Sequence, residues 1–207
     1  MEKEKLINLL EQYSREMTKA NNYLLALEDL DEKISVENSL DKLNLAPAFF
    51  HITRDALLDA LVLMAAKLFD DRGDSYCIQV LLKIAQAHTY YFAKSNHFTT
   101  DDSKTGKIKT VDFSSIIESH KQELDGYAHI MSRLKKRRNK YYAHLDKKHY
   151  LNIEALEKDY PLYLEEIKKI LRFADVLIAD LLIWLTGKAY GTEIYIDLCV
   201  LLEHVKI

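Results

Sequence analysis

A strongly basic segment in the second half of the chain holds the residues best suited to chemistry. Six cations fall within residues 133–140, and two more lysines follow: Arg133, Lys135, Lys136, Arg137, Arg138 and Lys140, then Lys147 and Lys148. His144 lies between the two groups. A guanidinium holds phosphate through a permanent charge and paired donors, and a histidine with a pKa of about 6.5 moves protons near neutral pH. The segment therefore suits a phosphate ester, although cations are also typical of a solvated helix end.

The overall composition indicates a helical protein with a core and a solvated surface. The chain has 207 residues, of which 48% are hydrophobic and 29% charged, with only five glycines and two prolines. So few turn-forming residues favour a few long helices over many short strands. Because the net charge is −3, the molecule as a whole is not an obvious polyanion binder, and the average hides the local basic segment.

The sequence predicts neither export nor membrane insertion. The opening residues, MEKEKLINLL, are charged from the second position and lack a small-residue cleavage site. The most apolar run, residues 173–185, contains two aspartates and is shorter than the ~20 residues that cross a bilayer. Cys77 and Cys199 form no metal or redox motif. We therefore predict a soluble, cytoplasmic protein that contacts no membrane.

Apolar residues at helical spacing predict an all-α, up-and-down bundle of about five to six helices in one domain, residues 1–207. Helices are predicted at about residues 4–27, 47–69, 75–94, 112–144, 161–186 and 192–205, although residues 191–196 also suit a short strand. Residues 1–45 are predicted to form an N-terminal helix and a polar connector, and residues 46–207 the core bundle. The polar stretch near residues 95–111 is predicted to be a long exposed loop.

The fourth predicted helix carries a heptad-spaced seam that includes an arginine. Alternating steps of three and four select Ile117, His120, Leu124, Tyr127, Met131, Leu134, Arg138, Tyr141 and Leu145. An arginine in phase with a buried seam loses hydration unless a partner or a cleft receives its charge. The alternative is that the bundle ends near Leu134 and that Arg138 lies in a solvated last turn.

Residues 138–146 read RNKYYAHLD, in which the polar Asn139 follows Arg138 and five residues separate Arg138 from His144. This stretch resembles the motif of the HEPN superfamily, which is an arginine, a polar residue and, a few residues later, a histidine. The surrounding residues, together with residues 50–71, most resemble the abortive-infection branch of AbiU type. The helical order extends the resemblance over most of the chain, but its specific part is the short RNKYYAHLD stretch.

The resemblance implies a metal-independent endoribonuclease that uses no cofactor and is completed where two protomers bring their motifs together. His144 is then the general acid or base, Arg138 clamps the phosphate, and Asn139 orients the arginine or donates to the phosphate. RNA supplies a 2′-OH nucleophile that DNA lacks. The implied biological role is that of a toxin or abortive-infection effector in antiphage defence, with RNA, a second copy, and an antitoxin or other regulatory protein as partners.

The resemblance also gives the basic segment a role as a track for the RNA backbone. Such a track supplies affinity that depends on salt and not on sequence. Tyr142 is a candidate for stacking on an unpaired base. The candidate RNA-binding residues are Arg133, Lys135, Lys136, Arg137, Lys140, Tyr142, Lys147 and Lys148.

The identity of the functional arginine stays open. In an unbroken helix Arg138 and His144 lie roughly 120° apart, whereas Arg137 lies almost on the same face as His144. Either the helix distorts around residues 141–143, or the second protomer completes the site, or Arg137 is the true partner. Asn139 favours Arg138.

Two alternatives concern what kind of site this is. His144, Asp146 and His149 do not converge on one point of a helix, so we predict no metal site. A catalytically silent HEPN module that binds RNA, nucleotide or a partner protein is the main alternative to the nuclease. Some HEPN toxins are silenced by modification of a tyrosine two positions after the histidine. Asp146 occupies that position here, which argues against this form of control, although Tyr150 lies close by in the sequence.

Overall fold

The computed structural model describes residues 1–35, 41, 44–70, 76–92, 99–101, 108–110, 112–142, 148 and 151–188. Over these residues the fold is all-α, as predicted. Its helices are α1 (Lys3–Ser35), α2 (Pro47–Leu68), α3 (Ile78–Ala87), α4 (Phe113–Gly126), α5 (Ala128–Arg137), α6 (Ile153–Asp159) and α7 (Leu164–Thr186). A 3₁₀ turn, Thr89–Tyr91, follows α3, and a π-helical turn, Arg138–Tyr142, follows α5.

Three long helices, α1, α2 and α7, pack against one another at the centre of the fold. Helix α7 corresponds to the predicted helix at about residues 161–186, and the apolar residues that recur along it at helical spacing are buried: Ile167, Ile170, Leu171, Ala174, Leu177, Ile178, Leu181 and Leu185. Pro47 occupies the first turn of α2, where its missing N–H costs nothing. Gly187 ends α7 with a φ of 71°, a left-handed conformation that glycine adopts without strain.

The first helix is longer than predicted. Residues 28–35 were expected in a polar connector, but they continue α1. The reason is that Leu30 is buried one turn after the buried Leu27, so the apolar stripe extends further than its polar neighbours suggest. Asp31 also pairs with Arg54 of α2 at 2.6 Å, which ties the end of α1 to its neighbour.

The fourth predicted helix is interrupted, contrary to expectation. It is broken at Tyr127, directly after Gly126, a residue of low helix propensity, and it changes to π-helical winding at Arg138. After the break the seam residue Leu134 is still buried, but Ile130 is buried in place of Met131, which is half-buried. Arg138 is itself buried, and the alternative of a solvated last turn is wrong.

The remaining differences concern short elements. Helix α6 was not predicted; Asn152 caps it by accepting a hydrogen bond from the N–H of Ala155 at 3.0 Å. Within the stretch predicted as a loop, β1 (Thr99–Asp101) and β2 (Ile108–Thr110) pair antiparallel, with Thr99 opposite Thr110. Helix α3 is shorter than expected and gives way to the 3₁₀ turn. The predicted last helix and the possible strand at residues 191–196 lie outside the described residues.

Candidate active site

The π-helical turn Arg138–Tyr142 places the motif against the C-terminal half of the second helix. This turn continues α5 directly and packs against α2. In a π-helix the backbone bonds run from i to i+5, so each residue turns through less than the ~100° of an α-helix. The argument that Arg137 lies on the same face as His144 assumed an unbroken α-helix, and the helix is not unbroken at Arg138–Tyr142. π-Helical turns occur frequently at functional sites.

Arg138 is buried, with 8% of its surface exposed, and its guanidinium is held from two sides. Its Nη1 donates to Oδ2 of Asp70 at 2.6 Å. Its Nε and Nη2 both donate to Oδ1 of Asn139, at 3.2 and 2.8 Å. Among the described residues these contacts occupy three of the five N–H groups of a guanidinium. The arginine is therefore fixed in orientation while it retains donors for a further anion.

Asp70, which the sequence did not single out, supplies the charge that a buried arginine needs. It follows Phe69 at the end of α2, and its side chain is 15% exposed. A carboxylate at a helix C-terminus opposes the helix dipole, so its position is unfavourable unless a cation is close. An acidic residue at the predicted end of this helix was the one feature of the sequence that pointed to a nearby cation. The partner itself lies 68 residues away along the chain.

Arg137 is also buried, but its contacts are those of a structural tie between α5 and α6. Nη1 and Nη2 donate to the two carboxylate oxygens of Glu157, and Nη1 also donates to the carbonyl of Tyr160 at 3.1 Å. Its Nε is buried and has no partner among the described residues. Because α6 was not predicted, this role of Arg137 was not predicted either.

Other cations of the basic segment are also engaged within the chain. Arg133 donates to the carbonyl of Pro161 at 2.9 Å and to Glu166 at 2.5 Å. Burial alone raises the pKa of Glu166, but hydrogen bonds from Arg133 and from the N–H of Tyr163 more than offset this effect, and the pKa lies below its usual value. Contact with RNA through Arg133 would therefore compete with an existing ion pair.

The lysines of the segment lie in different environments. Lys136 is exposed and sits 5.6 Å from the centre of the Tyr160 ring, at a distance suited to a cation–π contact. Lys148 pairs with Asp159 of α6. Lys135 and Lys140 are half-buried. Some cations of the basic segment thus form ion pairs and hydrogen bonds within the chain, and others are exposed. The segment is not a uniformly solvated helix end.

Several predicted site residues lie outside what the structure describes. These are His144 and Lys147, and of Tyr142 only the backbone position in the π-helical turn is described. The structure therefore places Arg138 and Asn139 together and leaves the third predicted catalytic residue undescribed. Tyr141 is half-buried.

The other seam residue that breaks the apolar pattern, His120, has a structural partner. Its Nε2 lies 2.9 Å from Oδ2 of Asp180, and its ring packs edge-on against Phe173. Over the described residues no three His, Cys, Asp or Glu side chains are grouped as a metal site would require. No helix in this part of the chain is long and apolar enough to cross a membrane.

The chain is a helical bundle with a buried arginine, Arg138, that is followed by the half-buried Asn139 and, later in the sequence, by His144, and this arrangement fits the HEPN motif. Comparison with models of protein families supports this class, because the HEPN-type model described as AbiU2 matches residues 3–194. Since the match spans nearly the whole chain, the protein belongs to the AbiU2 family of HEPN domains. Neither a curated protein nor a solved structure matches significantly.

Proposed function

We propose that this protein is a metal-independent endoribonuclease of HEPN type. The observation that carries the proposal is the buried guanidinium of Arg138, held by Asp70 and Asn139 on a π-helical turn. Burying an arginine in this way costs free energy, and a purely structural bundle could place a leucine in the seam instead. Residues that break the apolar pattern of a buried helix face in this way occur most often at functional sites.

The proposed reaction uses the nucleophile of the substrate. His144 removes the proton of a ribose 2′-OH, the oxygen attacks the adjacent phosphorus, and the bond to the 5′-oxygen of the next nucleotide breaks. A protonated imidazole returns a proton to the leaving oxygen. The products are a 2′,3′-cyclic phosphate and a 5′-hydroxyl. Arg138 stabilises the charge that grows on the phosphate oxygens, and Asn139 holds the plane of the guanidinium.

A homodimer is part of this proposal, because in the HEPN mechanism two protomers bring their motifs together. Membership of the AbiU2 family supports a role in abortive infection, in which the protein cuts RNA after phage infection under the control of an antitoxin or another regulator. The proposed location of this activity is the cytoplasm, where such RNA is found.

A catalytically silent RNA-binding module is the second candidate, and one contact favours it. The carboxylate of Asp70 already neutralises Arg138, and it would repel a phosphate brought to the same guanidinium. A site of this type can hold RNA through its surface lysines without cleaving it. The two candidates differ in whether the purified protein cuts RNA.

Site-directed variants test the nuclease proposal. His144→Ala is expected to lower the cleavage rate about 100- to 10,000-fold, because it removes the general acid or base. Arg138→Gln is expected to abolish detectable cleavage. The matched controls are His51→Ala and Arg15→Gln, which alter exposed residues on α2 and α1. Circular dichroism shows whether each variant keeps its helices. Cleavage that survives in both site variants would contradict the assignment.

A further inference from the structure

A cavity of about 330 Å³ lies beside the candidate active site, where the end of α2 and the start of α3 meet α5. It has both apolar and polar walls, formed by Phe69, Gln79, Ala128, Met131, Ser132 and Lys135. Its volume is at the lower end of the range for small-ligand pockets, which begins at about 300 Å³. The cavity is thus large enough for one flat, mostly apolar group with a polar edge.

Two residues of the cavity wall, Phe69 and Lys135, are close in sequence to the ion pair between Asp70 and Arg138. Phe69 precedes Asp70, whose carboxylate binds the guanidinium. Met131 and Lys135 occupy one face of α5, and Arg138 follows Lys135 by three residues, which places it about one helical turn further on. A ligand that reached from the cavity to Arg138 would span about one helical turn. This length suits a nucleotide whose base lies in the cavity and whose phosphate lies at Arg138.

The amide of Gln79 in the cavity wall is poorly satisfied. Among the described residues its Nε2 donates to the thioether sulfur of Met131, at 3.4 Å, and sulfur is a weak acceptor. Its Oε1 is buried and has no hydrogen-bond partner in the described part of the chain. A buried amide oxygen without a partner destabilises a fold, and a leucine at this position would avoid that cost. Such groups call for an explanation, and a functional role is one of them.

We propose that this cavity binds one unpaired adenine base of the RNA and that Gln79 reads its edge. This inference rests on the proposed function, since it names the substrate feature that the same site recognises. A glutamine amide offers one donor and one acceptor, and this pair complements the acceptor and donor edge of adenine. Phe69 and Met131 provide apolar surface for the faces of the base. In this proposal the Gln79 side chain turns toward the base, so that it gives up the thioether contact and brings its Nε2 and its buried Oε1 to the edge of the base.

Binding of uncleavable RNA tests this inference separately from catalysis. The probes are fluorescein-labelled octanucleotides in which every ribose is 2′-O-methylated: all uridine, or uridine with one central adenosine, cytidine or guanosine. Fluorescence anisotropy measures their affinity for the full chain. We expect the adenosine probe to bind about ten-fold more tightly than the others, as is typical of one bidentate base contact. Gln79→Leu is expected to remove this preference while weak binding of all four probes remains.

Gln86 provides the matched control. It lies on the same helix, seven residues after Gln79, it is exposed, and it accepts a hydrogen bond from Lys121. Gln86→Leu should leave the preference for adenosine unchanged. Gln79→Glu replaces the donor by an acceptor and should shift the preference toward cytidine, whose amino group donates.

Cleavage of unmodified octanucleotides by the same preparations separates the two proposals. If the wild-type chain cuts RNA but binds all probes equally, or if Gln79→Leu keeps the adenosine preference, the base-binding inference fails and the nuclease proposal stands. If adenosine preference depends on Gln79 but nothing is cut, the inference holds and the catalytic proposal fails. If the wild-type chain neither binds nor cuts RNA, both fail.

Discussion

The ion pair between Asp70 and Arg138 makes a prediction that can be measured without any substrate. Asp70→Asn keeps the size of the side chain and removes the charge, so it leaves a buried guanidinium without its counter-ion. The two side chains are only 15% and 10% exposed, and the atoms lie 2.6 Å apart. Breaking a fully buried pair costs about 3–5 kcal/mol. Because Asn139 continues to accept two hydrogen bonds, we expect a loss of about 2–4 kcal/mol in the free energy of unfolding.

The pair between Asp31 and Arg54 is the matched control for this experiment. Its nitrogen–oxygen distance is the same, 2.6 Å, but its side chains are 35% and 38% exposed. Solvent screens a pair of this kind, and Asp31→Asn should cost at most about 1 kcal/mol. For a chain of this size the expected loss at Asp70 corresponds to a fall in Tm of roughly 4–16 °C. Urea unfolding, followed by circular dichroism, measures both variants.

A double-mutant cycle with Arg138→Gln then isolates the interaction itself. The combined loss should be smaller than the sum of the single losses by at least about 1 kcal/mol, since either substitution alone removes the pair. Equal losses for Asp70→Asn and Asp31→Asn, together with additive effects in the cycle, would refute the claim that Asp70 compensates the buried arginine.

Three further predictions concern the basic segment. Arg137→Ala should lower the free energy of unfolding by about 1–3 kcal/mol, because its donors to Glu157 are lost, while RNA cleavage per folded molecule stays unchanged. The pKa of Glu166 is lower in the folded than in the unfolded chain. Its ionised carboxylate therefore stabilises the fold at pH values above the usual pKa of 4.5, and this stabilisation is lost as the pH falls through the folded pKa. Glu166→Gln should reduce the difference in unfolding free energy between neutral and acidic pH. RNA affinity should fall steeply with salt, and Lys136→Ala should lower the slope of log affinity against log salt by about 0.7.

Each of these predictions has a result that would contradict it. Loss of cleavage in a folded Arg137→Ala variant would make Arg137, and not Arg138, the functional arginine. An unchanged acid dependence in Glu166→Gln would show that its ion pair with Arg133 adds nothing to stability. An affinity that does not depend on salt would exclude a backbone contact by the basic segment.

The sequence predicted the parts of the fold that depend on local periodicity. The stripe of α7 could be read directly because its apolar residues recur at helical spacing over the whole helix. The same reasoning identified Arg138 as a residue that needs a partner, since it falls in phase with a buried seam. These predictions needed only neighbouring positions of one helix.

The partners of the buried arginines could not be predicted in this way. Asp70 follows the end of α2 and Glu157 lies on α6, 68 and 20 residues away from the arginines they bind. Local spacing carries no information on such pairs, because they depend on how the helices pack. A distortion of the helix around residues 141–143 was likewise only one of three possibilities, and the π-helical turn that the structure shows begins earlier, at Arg138. Gln79 drew no attention, since a buried amide oxygen that has no partner in the described part of the chain is visible only in a structure.

The most direct test of the central claim is cleavage of an unstructured RNA by the purified chain in the presence of EDTA, with analysis of the product ends. The proposed mechanism predicts cutting that chelation does not reduce, 2′,3′-cyclic phosphate and 5′-hydroxyl ends, and no cutting of the same RNA when its riboses are 2′-O-methylated. Cutting that EDTA abolishes, or that leaves 5′-phosphate ends, would contradict attack by the 2′-OH at a site made of Arg138 and His144.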